Sequence, residues 1–283
     1  MSPETTAQPL ITVDELADEL AGQNPPVVLD VRFQLGRDDG EEVFAARHIP
    51  GAHWVDLEHE LSAPSGSGGR HPLPTAEQFS AAMRRVGVDA GRPVVVCDGG
   101  NSLAAGRLWW MLRDGGHRQV RVLDGGFAAW QGKGHQVEVG CGTPGWPVGD
   151  FEAVPGHLPR VDAEQVATLG SADGTVWDVR APERYRGEVE PIDPVAGHIP
   201  GARNLPGAGN HRDDGRFRSP QELATRLGEV SAGDIVYCGS GITAAQSLLA
   251  LEVAGISGVK LYAGSWSDWI GDPERPVATG AES

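Results

Sequence analysis

The chain has 283 residues, which is long for a single globular domain and predicts two. Its formal charge of −16 argues against nucleic acid or an anionic membrane as the main partner, because basic surfaces bind both. No apolar run approaches the roughly 18 residues that a membrane helix needs, and the N-terminus lacks the features of a signal peptide. Three cysteines are too few for a disulfide framework, so we expect a cytoplasmic protein.

Four sequence blocks of the first half recur in the same order in the second half. They pair residues 27–32 with 175–180, 46–52 with 196–202, 94–105 with 234–245, and 120–130 with 259–269. A shared order over four blocks indicates an internal duplication into two similar domains. We expect the domains at residues 1–140 and 161–283, joined by a Gly- and Pro-rich linker at 141–160.

Each copy alternates short apolar runs with one amphipathic segment. In the first copy, β-branched runs at 27–31 and 94–97 predict buried strands, the segment 103–116 predicts a helix, and a third apolar run begins at Val120. The second copy repeats this order. The alternation predicts an α/β fold with two similar domains, each a mainly parallel sheet with helices on both faces.

The two copies differ most between the repeated HIPGA motif and the glycine-rich loop that follows it. There the first copy carries an additional stretch, residues 62–74 (SAPSGSGGRHPLP). We expect a loop long enough to reach the other domain, and a solvated excursion is the alternative that the sequence leaves open.

In the second copy a cysteine follows a predicted strand, at a position where the first copy has an aspartate. The alignment of the copies places Asp98 opposite Cys238, which is followed by a glycine-rich turn and a helix. Ligands of parallel sheets bind at the carboxyl ends of strands, where a helix N-terminus offers N–H groups to anions. We therefore predict that Cys238 is a nucleophile.

Glycines after this cysteine allow the backbone to curl, so that successive N–H groups converge on the sulfur and stabilise a thiolate or persulfide anion. Hydroxyl groups of two neighbours can add donors. The predicted anion cradle consists of Gly239, Ser240, Gly241, Ile242 and Thr243.

The loop CGSGIT at 238–243 resembles the six-residue active loop of tandem-domain sulfurtransferases of the rhodanese family. The HIPGA motif in both halves and GSWSDW at 264–269 are similar to further signatures of that family, and the resemblance covers about residues 11–270. It implies a sulfurtransferase that needs no metal or organic cofactor. It also implies that the first copy has lost its cysteine and serves structurally, as Asp98 suggests.

The loop sequence bears on the sulfur donor. Family members with a Cys-Arg-Lys-Gly loop prefer thiosulfate, and those with Cys-Gly-Ser-Gly prefer 3-mercaptopyruvate, so the resemblance favours 3-mercaptopyruvate here and keeps thiosulfate as the alternative. It implies that Arg184 binds the substrate carboxylate. A second family arginine would fall near Ile192 and is missing; Arg180 and Arg186 are candidates to replace it.

Three more site residues follow from the resemblance. It places Trp266 at the pocket wall, where it would contact the substrate, and it places Asp38 and His48 near the cleft as candidate acid–base groups. A structural role is the alternative for His48, because His198 occupies the same motif position in the other copy.

The resulting hypothesis is a ping-pong reaction in which Cys238 takes sulfur from a small anionic donor and passes it as a persulfide to cyanide or a thiol, with a thioredoxin-like protein as one candidate acceptor. A persulfide-relay or binding protein without efficient turnover of small donors is the alternative. A phosphatase of related fold is disfavoured, because Ala244 and Ala245 stand where its loop arginine would be needed.

Overall fold

A computed structural model describes residues 8–141, 147–168 and 174–281. It contains two five-stranded sheets whose strand orders, β1-β5-β4-β2-β3 and β6-β10-β9-β7-β8, are identical once the repeat is taken into account. All of the paired strands are parallel. The predicted α/β fold with two similar domains is confirmed.

The bounds of the elements follow the repeat closely. The first domain contains β1 (Leu10–Ile11), α1 (Val13–Leu20), β2 (Val27–Asp30), α2 (Gly40–Ala46), β3 (His53–Trp54), α3 (Ala76–Arg85), β4 (Val94–Cys97), α4 (Leu103–Asp114), β5 (Val120–Leu123) and α5 (Gly126–Gly132). The second contains β6 (Arg160–Val161), α6 (Ala163–Ala167), β7 (Val176–Asp178), α7 (Pro182–Tyr185), β8 (Arg203–Asn204), a 3₁₀ turn (Gly207–Asn210), α8 (Pro220–Leu227), β9 (Ile235–Tyr237), α9 (Ile242–Val253), β10 (Lys260–Tyr262) and α10 (Ser265–Trp269).

The central strands β4 and β9 are buried along their whole length, which explains their uninterrupted apolar sequences. Asp30 pairs with Cys97 in the first sheet, and Asp178 pairs with Tyr237 in the second. This register gives Cys97 and Tyr237 equivalent positions in the two sheets. Asp98 and Cys238, which follow them, are then equivalent as well, as the sequence alignment of the two copies predicts.

The two domains meet where α4 of the first crosses α9 of the second. Gly106 permits the close approach, because a Cβ at this position would lie 2.8 Å from the Cα atom of Gln246. Arg113 and Glu252 form an ion pair across the same crossing at 3.1 Å. Since α9 begins at the glycine-rich loop, the crossing brings segments of the first domain next to Cys238.

The segment between the domains has no helix or strand from 147 to 159, as expected of a linker, and its Phe151 packs into the main hydrophobic cluster. The rest of the predicted linker lies largely outside the described residues. Within the described ranges, each helix is too short or too polar to cross a bilayer.

Candidate active site

The turn after β9 holds the sulfur of Cys238 against a helix N-terminus. The amide of Gly241 donates a hydrogen bond to Cys238 Sγ at 3.2 Å. Gly241 caps α9 with a φ of +83°, and a Cβ at this position would collide with the carbonyl oxygen of Ala263. Glycine is therefore required here both by the left-handed backbone and by the close contact. Ile242 begins the helix and is buried, and Thr243 is half-buried beside it.

A second turn, which connects β10 to α10, supports the main chain of this loop. Ser265 Oγ accepts a hydrogen bond from the amide of Cys238 at 3.1 Å and donates one to the carbonyl of Tyr262 at 2.9 Å. The amides of Trp266 and Ser267 donate to the carbonyl oxygens of Cys238 and Gly239, both at 3.0 Å. The backbone around the sulfur is thus held in place before any substrate binds.

The additional stretch 62–74 crosses from the first domain to this loop, so it is not a solvated excursion. Nδ1 of buried His71 lies 2.8 Å from Ser240 Oγ, and its Nε2 lies 3.3 Å from Glu58 Oε1. Burial lowers the pKa of His71, against the opposing effect of Glu58, and so favours the neutral imidazole. A hydroxyl, an imidazole and a carboxylate in this order can move a proton to or from a group bound beside Cys238.

Sequence reasoning missed His71 and Glu58 and singled out His48 and Asp38 instead. His48 is fully buried, stacks on Phe44 at 4.0 Å and lies 2.9 Å from its carbonyl oxygen. His198 makes the same two contacts with Tyr185, at 3.8 and 2.7 Å. These matching contacts support the structural alternative for His48. Asp38 is exposed. An acid–base role for His48 and Asp38 stays a prediction that their contacts do not support.

Two arginines from different domains lie over the loop, next to Cys238. A Cβ on Gly239 would lie 2.9 Å from Nη2 of Arg70 and 3.6 Å from Nη1 of Arg184. Arg184 donates to Glu190 at 2.7 and 3.1 Å and to Asp193 at 3.1 Å. Arg70 forms an ion pair with the same Asp193.

The two arginines considered as replacements for the missing one are engaged elsewhere. Arg180 is buried and pairs with Asp178 at 2.6 Å and with Glu190 at 3.4 Å. Arg186 pairs with the exposed Glu188 at 2.7 Å. The three atoms nearest to the Cβ position of Gly239 belong to Arg70 and Arg184 instead.

Arg107 of α4 is a fully buried cation on the other side of the loop. Its Nη1 would lie 3.1 Å from a Cβ on Gly241, and its Nη2 donates to the carbonyl of His71 at 2.9 Å. Burial lowers the pKa of Arg107 to about 10, and the nearby sulfur of Cys238 acts in the opposite direction. Among the described residues, Nε and Nη1 of this guanidinium have no hydrogen-bond partner, and the sulfur of Cys238 is close enough to interact with its charge.

The indole of Trp266 is fully buried. Its N–H donates to the carbonyl of Val195 at 2.9 Å, and the guanidinium of Arg180 lies 4.8 Å from the ring centre. Direct contact with a substrate stays a prediction for Trp266. Its main-chain amide, which donates to the carbonyl oxygen of Cys238, helps to hold the loop.

The equivalent turn of the first domain contains a carboxyl group at the position of Cys238. The Asp98 carboxylate accepts hydrogen bonds from the amides of Gly100 at 2.9 Å, Ser102 at 3.1 Å and Ala105 at 3.3 Å. Burial raises the pKa of Asp98, and these amides oppose the rise. The amides of this turn therefore converge on one acceptor, and in the first domain that acceptor is the side chain of Asp98.

Comparison with known proteins agrees with this geometry. The rhodanese-like domain family matches residues 12–133 and 162–272. The chain is 44% identical to a probable 3-mercaptopyruvate sulfurtransferase of Pseudomonas aeruginosa, over 96% of this chain and 98% of that protein. It is 41% identical to a putative thiosulfate sulfurtransferase of Mycobacterium tuberculosis, over 98% and 99%.

Among solved structures, the 3-mercaptopyruvate sulfurtransferase from Leishmania major superposes with a TM-score of 0.83 at 28% identity, over 97% of this chain and 77% of that one. Both halves of the chain thus match one family, and both sheets have its topology. The chain belongs to the rhodanese family and is a sulfurtransferase built from two rhodanese-like domains.

Proposed function

We propose that the chain transfers sulfur from 3-mercaptopyruvate to a thiophilic acceptor through a persulfide on Cys238. The observation that carries the proposal is the hydrogen bond from the Gly241 amide to Cys238 Sγ, within a loop that also presents the hydroxyl of Ser240 to His71. The name of the Pseudomonas relative supports this donor, and that of the mycobacterial relative keeps thiosulfate as the alternative.

In the first half-reaction, the Cys238 thiolate attacks the donor sulfur and forms an S–S bond. The C–S bond of the donor breaks, and its electron pair goes to the carbon, which becomes the enolate of pyruvate. The enolate then takes up a proton, and Ser240 with His71 is placed to supply it. The loop amide stabilises the negative charge on the sulfur throughout.

In the second half-reaction, cyanide or a thiol attacks the outer sulfur of the persulfide, and Cys238 leaves as a thiolate. We propose a cytoplasmic thiol, either small or on a thioredoxin-like protein, as the natural acceptor. The cysteines at 97, 141 and 238 are all free thiols, which is consistent with a reducing compartment.

Arg184 is proposed to bind the donor carboxylate. Its guanidinium lies beside Gly239, one residue from the nucleophile, and an arginine can hold a carboxylate by two parallel hydrogen bonds. The loop itself has no cationic side chain, so it offers less to a small dianion such as thiosulfate than an Arg-Lys loop would.

A small donor is favoured over a protein donor by the burial of the nucleophile. Cys238 is only 2% exposed, so a small donor reaches its sulfur with less rearrangement of the site than a protein donor needs. The same holds for the acceptor, where a small thiol needs less rearrangement than a thioredoxin-like protein. A persulfide-relay protein would show the opposite preference, with fast loading from a cysteine desulfurase and slow loading from small donors.

The test is mass spectrometry of the protein after mixing with 3-mercaptopyruvate, where loading adds about 32 Da at Cys238. Cys238→Ser should abolish the added mass and the turnover, and Cys141→Ser, which changes an exposed cysteine, should change neither. Steady-state kinetics with 3-mercaptopyruvate and thiosulfate, with cyanide as acceptor, rank the donors. Full turnover by Cys238→Ser would contradict the mechanism, and a clear excess of thiosulfate turnover would contradict the donor.

A further inference from the structure

We propose that a cleft between the two domains, separate from the active site, binds a small organic anion with an aromatic body. The cleft has a volume of about 880 Å³, within the range of about 300–1,000 Å³ that is usual for small-molecule sites. Within the described ranges, none of its lining residues belongs to the loop 238–243 or to the additional stretch 62–74. Binding in this cleft goes beyond sulfur transfer and does not depend on it.

The floor of the cleft is apolar, and both domains contribute to it. It is lined by Trp109 and Trp110 of α4 and by Leu248 and Leu251 of α9, all of which belong to the main hydrophobic cluster. Three apolar side chains at its edges are only partly buried, namely Leu10, Leu158 and Ile256. An aromatic ring in the cleft would cover these side chains and remove their apolar surface from water.

One wall of the cleft, residues 216–220, belongs to the second domain and is attached to the first. The amide of buried Phe217 donates a hydrogen bond to Asp124 Oδ1 at 2.9 Å. A Cβ on Gly125 would lie 3.0 Å from Cγ of Arg216, so the two chains are in close contact there as well. These contacts hold the wall in place without a ligand, and a preformed site loses less conformational entropy on binding.

The charged side chains around the cleft favour an anion. Four arginines and three acidic residues line it, although the whole chain has a formal charge of −16. They are Arg113, Arg212, Arg216 and Arg218, and Glu15, Asp124 and Glu252. The cleft is therefore locally positive on an acidic protein, and an anion is attracted to it more than to the rest of the surface.

Arg218 is the arginine of this set that has a guanidinium available for a ligand. Its Nε donates to the carbonyl of Gly209 at 2.9 Å, and among the described residues no carboxylate pairs with it. The other three arginines each face a carboxylate, Arg113 with Glu252 at 3.1 Å, Arg212 with Glu222 at 3.2 Å and Arg216 with Asp214 at 3.7 Å. The two Nη atoms of Arg218 can therefore bind the anionic group of a ligand whose ring lies on the apolar floor.

The first experiment uses two probes that have the same rings and differ in charge, 2-naphthoate and 2-naphthamide. Calorimetric titration of the full chain should show one naphthoate site per chain, with naphthamide bound at least about 10-fold more weakly. Arg218→Ala should weaken naphthoate binding about 10-fold and leave the naphthamide affinity within about 2-fold. Arg203→Ala is the control, because it changes an exposed arginine that pairs with Glu229 outside the cleft.

A second variant tests where the anion binds. Ser257 is exposed and lines the cleft, so Ser257→Trp should block it with an indole and leave the core unchanged. This variant should lose naphthoate binding and keep its sulfur-transfer rate within about 2-fold, because it leaves the loop around Cys238 unaltered. Naphthoate binding that persisted in Ser257→Trp would place the anion elsewhere and overturn the inference.

Three further results would also overturn it. They are the absence of saturable naphthoate binding to the unaltered protein, equal affinities for the two probes, and an Arg218→Ala variant that binds naphthoate as tightly as the Arg203→Ala control. Circular dichroism and the sulfur-transfer rate of each variant show that it is folded.

Discussion

Nδ1 of His71 lies 2.8 Å from Oγ of Ser240, although the two residues belong to different domains and are 169 positions apart in the chain. The contact joins the segment in which the two copies differ most to the loop that carries Cys238. It also explains why burial of this imidazole matters, since a neutral ring is needed to exchange a proton with a hydroxyl.

We predict that His71→Gln and Ser240→Ala lower kcat for 3-mercaptopyruvate by about 10²-fold with a smaller effect on KM, because they remove a proton-transfer path. Since the pKa of His71 is lowered from 6.5, its neutral form persists below that pH and is lost only as the pH falls further. Stopped-flow loading rates between neutral and acidic pH measure this. His48→Gln is the comparison variant. If it lowered kcat as much as His71→Gln does, the result would support an acid–base role for His48 instead.

Gly241→Ala should reduce persulfide formation strongly and destabilise the protein. Alanine at a φ of +83° costs about 1–2 kcal/mol, and its Cβ would in addition collide with the Ala263 carbonyl oxygen. Gly201→Ala is the matched control, because Gly201 has a φ of +81° with open space around the Cβ position. Urea unfolding and loading rates should separate the two variants; similar behaviour would mean that the collision is relieved by movement of the loop.

Arg107→Met should slow alkylation of Cys238 by iodoacetamide about 10-fold at neutral pH, because a buried positive charge that favours the thiolate is lost. Arg113→Met changes an arginine of the same helix that pairs with Glu252, and it should have little effect on this rate. Because Arg107 also donates to the His71 carbonyl, circular dichroism must show that the variant is folded. An unchanged alkylation rate in a folded variant would contradict the role of this charge.

Asp98→Ala should lower the free energy of unfolding by about 2–4 kcal/mol, because it leaves three main-chain amides of a buried turn without their acceptor. Asp98→Asn keeps one carbonyl oxygen and should lose less. Denaturant unfolding measures both variants. The persulfide on Cys238 should form normally in the folded fraction, and a specific loss of loading would show that the first turn acts on the second.

The sequence was sufficient to predict features that repeat or that depend on local pattern. The duplicated blocks predicted the two domains, and the uninterrupted apolar runs predicted the central strands. The glycine-rich turn after a strand pointed to Cys238 as the candidate nucleophile. Arg70 and His71, which contact the second domain beside this loop, could not be found in the same way, because their position depends on a contact between domains and their segment has no counterpart in the second copy. Its length was the one available signal.

The opposite lesson comes from His48. The family resemblance suggested an acid–base role for His48, whereas the presence of His198 at the same motif position indicated a structural role. In the structure, the two rings make the same contacts. A residue that occurs at the same motif position in both copies meets a structural requirement that both domains share, whereas the proposed nucleophile occurs in the second copy alone. Asymmetry between the copies was therefore the better guide to function.

Because α4 and α9 cross at the contact between the domains, we expect sulfur transfer to need both domains. The first domain, which has Asp98 in the place of Cys238, brings the imidazole of His71 and the guanidiniums of Arg70 and Arg107 to the loop of the second domain. Two polypeptides cut at the linker would each retain a complete sheet, yet neither would move sulfur until they reassembled. We therefore expect the first domain to be required for activity, although it has an aspartate at the position of Cys238.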